Sequence, residues 1–162
     1  MKKYLLSSIL LIILILPVFS QEIKAISAVE AFKLINRPNV FLIDVRTVAE
    51  YVFVGHPKIA YSIPLLFWDS EKMSTSINEN FIQDLKHRFK PTDTLIFICR
   101  SGSRSLKAAE LAIRAAYTRI FNIEDGFEGE KDGQGYRSIN GWKNSKLPYT
   151  YELDGDLIYP FK

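Results

Sequence analysis

A chain of 162 residues, 48% of them apolar and 24% charged, has the size and balance of one globular domain with a full core. Its net charge of +3 owes much to Lys2 and Lys3, and no lysine and arginine stripe with interleaved aromatics stands out, so nothing points to a nucleic-acid partner. The single cysteine, Cys99, excludes a disulfide within the chain.

Residues 1–20 read as a secretory signal peptide. Lys2 and Lys3 give it a basic start, residues 5–16 an apolar run, and Pro17 to Ser20 a small-residue end, with Gln21 as the first mature residue. The run falls short of the ~20 residues of a spanning helix, so no stable membrane insertion is expected after cleavage. The expected organisation is a signal at 1–20 and one domain at 21–162, of which 124–162 is an ordered C-terminal extension. Export would place the protein in the periplasm if its source has two membranes, and outside the cell otherwise. A lone thiol there is either inert and buried or retained for chemistry.

Ser27 with Glu30 has capping-box spacing and opens a short amphipathic helix over 27–36, stopped by Pro38. Residues 40–45, VFLIDV, are a continuous β-forming run and predict a buried strand. Thr47 with Glu50 repeats the capping box and predicts a helix over 48–54, broken by Gly55, His56 and Pro57. A short strand is expected at 59–63 and a polar surface excursion at 68–76. Asn78 is the expected cap of a third helix, with Phe81, Ile82, Leu85 and Phe89 on one face.

A strand at 95–99 runs into Cys99, and an alanine-rich helical pattern follows from Leu106. Residues 119–123 make a last strand. Alternating strands and helices predict a parallel sheet covered on both faces, with ligands bound beyond the carboxyl ends of its strands. The tail from Glu124 shows no period; Trp142, Tyr149 and Tyr151 are its expected packing anchors. His56 and His87 read as structural and solvated, respectively.

The loop CRSGSRS, Cys99 to Ser105, is more polar than packing requires. Arg100, Arg104 and the N–H groups at a helix start surround the sulfur with positive potential, an environment that favours a thiolate nucleophile. The hydroxyls of Ser101, Ser103 and Ser105 add donors for an anion, and Gly102 permits the turn. Arg104 closes a C-x4-R loop, one residue tighter than the C-x5-R loop of cysteine-dependent phosphatases. The smaller cradle suits a sulfur atom on Cys99 better than a tetrahedral oxyanion.

Three segments then carry a resemblance: IDVRTVAEYVFVGHPKIAYSIP (43–64), CRSGSRS (99–105) and NIEDGFEG (122–129). In this order they are similar to the rhodanese-like sulfurtransferases. The resemblance implies a three-layer α/β/α domain around a five-stranded, largely parallel sheet, and a Cys99 persulfide that carries sulfane sulfur from a donor such as thiosulfate to cyanide or a thiol. No metal or organic cofactor is implied. Cys99 would be the nucleophile, the N–H groups of Arg100 to Arg104 the cradle, and the Arg100 side chain an anion-attracting group at the mouth. Family topology would bring Asp44, Arg46 and Glu50 near the loop, with Arg104 paired inward to Asp44 or Glu50 and Arg46 facing donor or solvent. Asp125 stands where a second glycine is common in the family. A non-catalytic sulfane- or partner-binding module is the alternative, and a phosphatase or arsenate-type reductase a more distant one.

Overall fold

The computed structural model describes residues 22–160, so the signal peptide read at 1–20 lies outside the described residues. The chain forms β1 (Lys24–Ile26), α1 (Ala28–Leu34), β2 (Val40–Asp44), α2 (Val48–Val54), β3 (His56–Pro57), β4 (Tyr61–Ser62), β5 (Leu66–Asp69) and β6 (Ser74–Ile77). It continues through α3 (Phe81–Arg88), β7 (Thr94–Ile98), α4 (Ser103–Arg114), β8 (Arg119–Ile123) and β9 (Tyr149–Thr150).

Both capping boxes form. The Ser27 hydroxyl accepts from the Glu30 N–H while the Glu30 carboxylate accepts from the Ser27 N–H at 2.8 Å, and Thr47 and Glu50 do the same for α2. The cap of α3 does not follow the expectation. Asn80, not Asn78, is the N-cap and makes no side-chain cap bond. Asn78 is drawn elsewhere: its amide donates to the Pro64 carbonyl at 3.0 Å and to Asp84, and its carbonyl accepts from the Asn80 N–H.

The central sheet is five-stranded and parallel in every pairing, in the order β1-β8-β7-β2-β4. Its middle strands are apolar on both faces because helices cover both. Ile43, Leu95, Phe97, Cys99 and Ile120 face the side where α3 and α4 pack with Phe81, Leu85, Ala108, Ala109 and Ala112. Leu42, Ile96, Ile98 and Ile123 face α1 and α2, with Ala28, Ala31, Tyr51, Phe127 and Trp142. Each large apolar side chain buried this way contributes roughly 1.5–3 kcal/mol. The alanines of α4 let that helix lie close against β7 and β8.

Three elements differ from the sequence expectation. The edge strand β1 was not anticipated; it pairs with β8 from Lys24↔Phe121 to Ile26↔Ile123. The strand expected at 59–63 shrinks to Tyr61–Ser62, and the excursion at 68–76 becomes the tip of an antiparallel hairpin of β5 and β6. The tail is tied down by backbone bonds. β9 pairs with β3, and the Leu157 carbonyl accepts from Ser62 N–H at 2.8 Å, covering the outer edge of β4.

The position of the site follows from this topology. β2 and β7 are neighbours, with Asp44 level with Ile98. After β2 the chain turns to α2 on one face, and after β7 to α4 on the other. The opposite departures open a crevice beyond their carboxyl ends, the usual ligand position of such sheets. Cys99 stands there.

Candidate active site

β7 delivers the sulfur. Leu95, Ile96, Phe97 and Ile98 are fully buried, and Cys99 follows at 1% exposure. Gly102, at φ +90°, turns the chain into α4; a Cβ there would lie 2.1 Å from the Glu124 carbonyl oxygen, so no other residue fits. Gly126, at φ +62°, makes the reciprocal approach, its absent Cβ falling 2.6 Å from the backbone of Arg100 and Ser101. The two strand-end loops are also hydrogen-bonded, Phe127 N–H to the Cys99 carbonyl at 2.7 Å and Glu128 N–H to the Arg100 carbonyl at 3.0 Å.

The helix begins earlier than expected, at Ser103, so Ser103, Arg104 and Ser105 form its first turn. Leu106 N–H is the first to find a helical acceptor, the Gly102 carbonyl. The N–H groups of Arg100, Ser101, Gly102, Ser103, Arg104 and Ser105 donate to no acceptor among the described residues. Unpaired donors in consecutive peptides at a helix start make a concavity suited to negative charge. Arg100 and Ser103 are exposed, Ser101 is half-buried, and Ser105 is fully buried with its hydroxyl 3.3 Å from Cys99 Sγ.

Arg104 reaches across to α2. Its Nη1 and Nη2 donate to the two oxygens of Glu50 at 2.7 and 2.6 Å, joining α4 to α2 in a bidentate pair. Glu50 is the same carboxylate that closes the α2 capping box. Burial pushes its pKa up, but the hydrogen bonds and charge of Arg104, with those from Thr47, prevail and hold it at about 2. Of the two acids expected to hold Arg104, Glu50 is the partner.

Asp44 is taken by Arg46. The guanidinium donates to Asp44 through Nε and Nη2, the shortest contact 2.6 Å, and to the Gly55 carbonyl at 2.7 Å. Its face lies 4.2 Å over the Phe127 ring. The expectation that Arg46 faces donor or solvent is therefore corrected: the residue is 0% exposed, and only its Nη1 lacks a partner. Burial opposes its charge, yet Asp44 keeps its pKa above the usual arginine value.

The structure thus brings Cys99, Ser105, Arg104 and Glu50 into one chain of contacts and sets Asp44 and Arg46 in a separate brace beside it. Sequence reasoning missed the clamp at Asp125. Its carboxylate accepts from Ala28 N–H at the start of α1 at 2.8 Å and from Gly141 N–H at 3.1 Å, holding the 124–129 segment against the cysteine loop. Its place in NIEDGFEG, where a glycine is usual, was the available signal. His56 is structural, stacked 3.6 Å from Tyr51 with Nδ1 at 3.0 Å from the Tyr51 carbonyl, and burial lowers its pKa. His87 is exposed. Of the expected anchors in the tail, Trp142 is buried, and Tyr149 packs edge-on against Phe127 and Tyr151 while both tyrosines stay partly open and flank Lys143.

Residues 27–132 match the rhodanese-like domain family, and the chain belongs to it. The fold is accordingly the rhodanese-like α/β fold, a five-stranded parallel sheet flanked by four helices. Within the family, a Rickettsia rickettsii protein known as uncharacterized protein RP600 homolog is 34% identical over 118 residues, 73% of this chain and 89% of its own length. Thiosulfate sulfurtransferase 18 of Arabidopsis thaliana is 26% identical over 108 residues, 67% of this chain and 78% of its own. The crystal structure of Rv0390 from M. tuberculosis aligns with a TM-score of 0.70 at 34% identity, over 80% of this chain and 98% of that one.

Proposed function

We propose that the protein is a sulfurtransferase that takes a sulfane sulfur from a donor such as thiosulfate onto Cys99 and passes it to a thiophilic acceptor, cyanide or a thiol. The observation that carries this reading is the run of unpaired N–H groups from Arg100 to Ser105 in the loop that begins at Cys99, with the Arg104 guanidinium held by Glu50. An outer sulfur bound to Cys99 would sit in that run as an anion. Membership of a family that includes a thiosulfate sulfurtransferase agrees with it.

In this reading Cys99 is the nucleophile, and the N–H groups of Arg100, Ser101, Gly102, Ser103 and Arg104 hold the persulfide. The exposed Arg100 side chain draws anionic donors to the mouth. Arg104, fixed by Glu50, keeps the loop in shape and does not touch the donor. Export through residues 1–20 belongs to the same proposal, and a secreted form beginning at Gln21 is its check.

The test uses the chain from Gln21. Incubation with thiosulfate is expected to add one sulfur to the mass, and cyanide is expected to remove it as thiocyanate; Cys99→Ser should do neither. A protein that gains sulfur but never releases it would be the binding module. One that gains none and cleaves an aryl phosphate would be a phosphatase, and the sulfurtransferase reading would be withdrawn.

A further inference from the structure

Ser105 is fully buried, and its hydroxyl has two acceptors in reach, the Gly102 carbonyl oxygen at 2.9 Å and Cys99 Sγ at 3.3 Å. A serine hydroxyl carries one proton, so the two bonds exclude each other at any instant. The charge on the sulfur decides between them. A neutral divalent sulfur, as in a thiol or the inner atom of a persulfide, is a weak acceptor, and the carbonyl holds the proton. A thiolate makes a charge-assisted bond about twice as strong as a neutral one. The hydroxyl then turns, with no heavy atom moving.

We propose that Ser105 is a catalytic residue of the sulfur transfer, a donor whose proton swings from Gly102 to Cys99 Sγ whenever that sulfur carries negative charge. The proposal rests on the sulfurtransferase reading and adds to it a role at the inner sulfur, distinct from the backbone cradle for the outer one. In loading, the Cys99 thiolate attacks the sulfane sulfur of thiosulfate. The Sγ–S bond forms, the S–S bond of thiosulfate breaks, and sulfite leaves with the electron pair. Negative charge passes to the outer sulfur, and Ser105 returns its proton to Gly102. In discharge, the carbon of cyanide attacks the outer sulfur. A C–S bond forms, the Sγ–S bond breaks, and its electron pair returns to Sγ as thiocyanate departs. Sγ is the leaving group in that step, and leaving ability rises as the departing thiolate is stabilised.

The other charged side chains near the sulfur are paired or at least partly exposed. Arg104 on α4, which feels the charge of Cys99, is bound to Glu50 of α2. Asp44 at the end of β2 is bound to Arg46. Arg100 on the loop and Glu124 beside it are exposed, and Glu128 is half-buried. The side chains that β7 and α3 send into the core on this face, Leu95, Phe97, Phe81 and Leu85, are apolar. Ser105 is the side chain hydrogen-bonded to Sγ among the described residues.

The test compares Ser105→Ala and Ser105→Thr in the full chain. Alanine is close to serine in volume and a better helix former, so the melting midpoint is expected to hold within a few degrees. Alkylation of sulfur-free Cys99 by iodoacetamide, followed against pH, is expected to move up by about one pH unit in Ser105→Ala. Discharge of the preloaded persulfide to cyanide in a single turnover is expected to slow about tenfold. Ser105→Thr keeps the hydroxyl and should hold the original profile and rate. An alanine variant that alkylates and discharges like the parent, or a threonine variant displaced as far as alanine, would overturn the proposal. Alkylation needs no sulfur donor, which separates the two readings. A displaced profile in a protein that makes no thiocyanate would retain Ser105 as the thiolate's donor and remove the sulfurtransferase reading. Thiocyanate formation with an unmoved profile would do the reverse.

Discussion

The loops after β2 and β7 leave neighbouring strands at the same level and do opposite things with their polar groups. From Asp44 to Glu50 the charged side chains and the cap are paired within the protein: Asp44 with Arg46, Arg46 with Gly55, and Thr47 with Glu50. From Arg100 to Ser105 the backbone donors have no acceptor among the described residues, and the one cation of the first helical turn is held by the other loop. One loop is closed so that the other can stay open. Structural arginines and a chemically available backbone thereby lie within one crevice.

Substitutions on each side should separate the two roles. Cys99→Ser is expected to abolish thiocyanate formation while costing no more than about 1 kcal/mol in denaturant unfolding. Arg46→Ala, on the closed side, should do the converse first to stability, costing about 3–5 kcal/mol because Asp44 is left buried and unpaired. A folded, stable Arg46→Ala protein would break the distinction. Arg104→Ala crosses it, and is expected to lower stability by about 1–2 kcal/mol and turnover roughly tenfold as the loop loosens. A stable but inactive Arg104→Ala would place that side chain on the donor instead.

Acid provides a finer probe of the same pair. Folded Glu50 titrates at about 2, against 4.5 for the free side chain, so the unfolded chain binds more protons between those values. The contribution of the pair is then complete above pH 4.5 and is lost as pH falls toward 2. Glu50→Gln should flatten that acid limb of the stability curve. The smallest effect belongs to Thr47→Ala, which removes the α2 cap and is expected to cost about 1 kcal/mol by thermal unfolding, with sulfur transfer retained.

The parts legible in the sequence were those governed by local rules. Two capping boxes, the continuous apolar strands and the glycine after Cys99 each carry their own signal, and the partner of Arg104 was narrowed to two acids. What escaped depended on distant contacts. β1 is three residues on a sheet edge, with Lys24 and Ala25 exposed, too short for a period to show. β6 is exposed along its whole length and is a strand only because β5 pairs with it. A charged side chain is by default a surface residue. Arg46 is buried because Gly55 and Phe127 close over it, and Phe127 lies far along the chain.

The back-to-back approach of Gly102 and Gly126 also bears on how this protein could change. A loop one residue longer, of the size that surrounds phosphate, would have to bulge, and the 124–129 backbone occupies the space against Gly102. Asp125 anchors that backbone to α1 and to Gly141, so it cannot simply step aside. An insertion after Cys99 would therefore need accompanying changes in two other parts of the chain before it produced a working site. Lengthening the cysteine loop by a single residue is thus opposed by the spacing of two backbones.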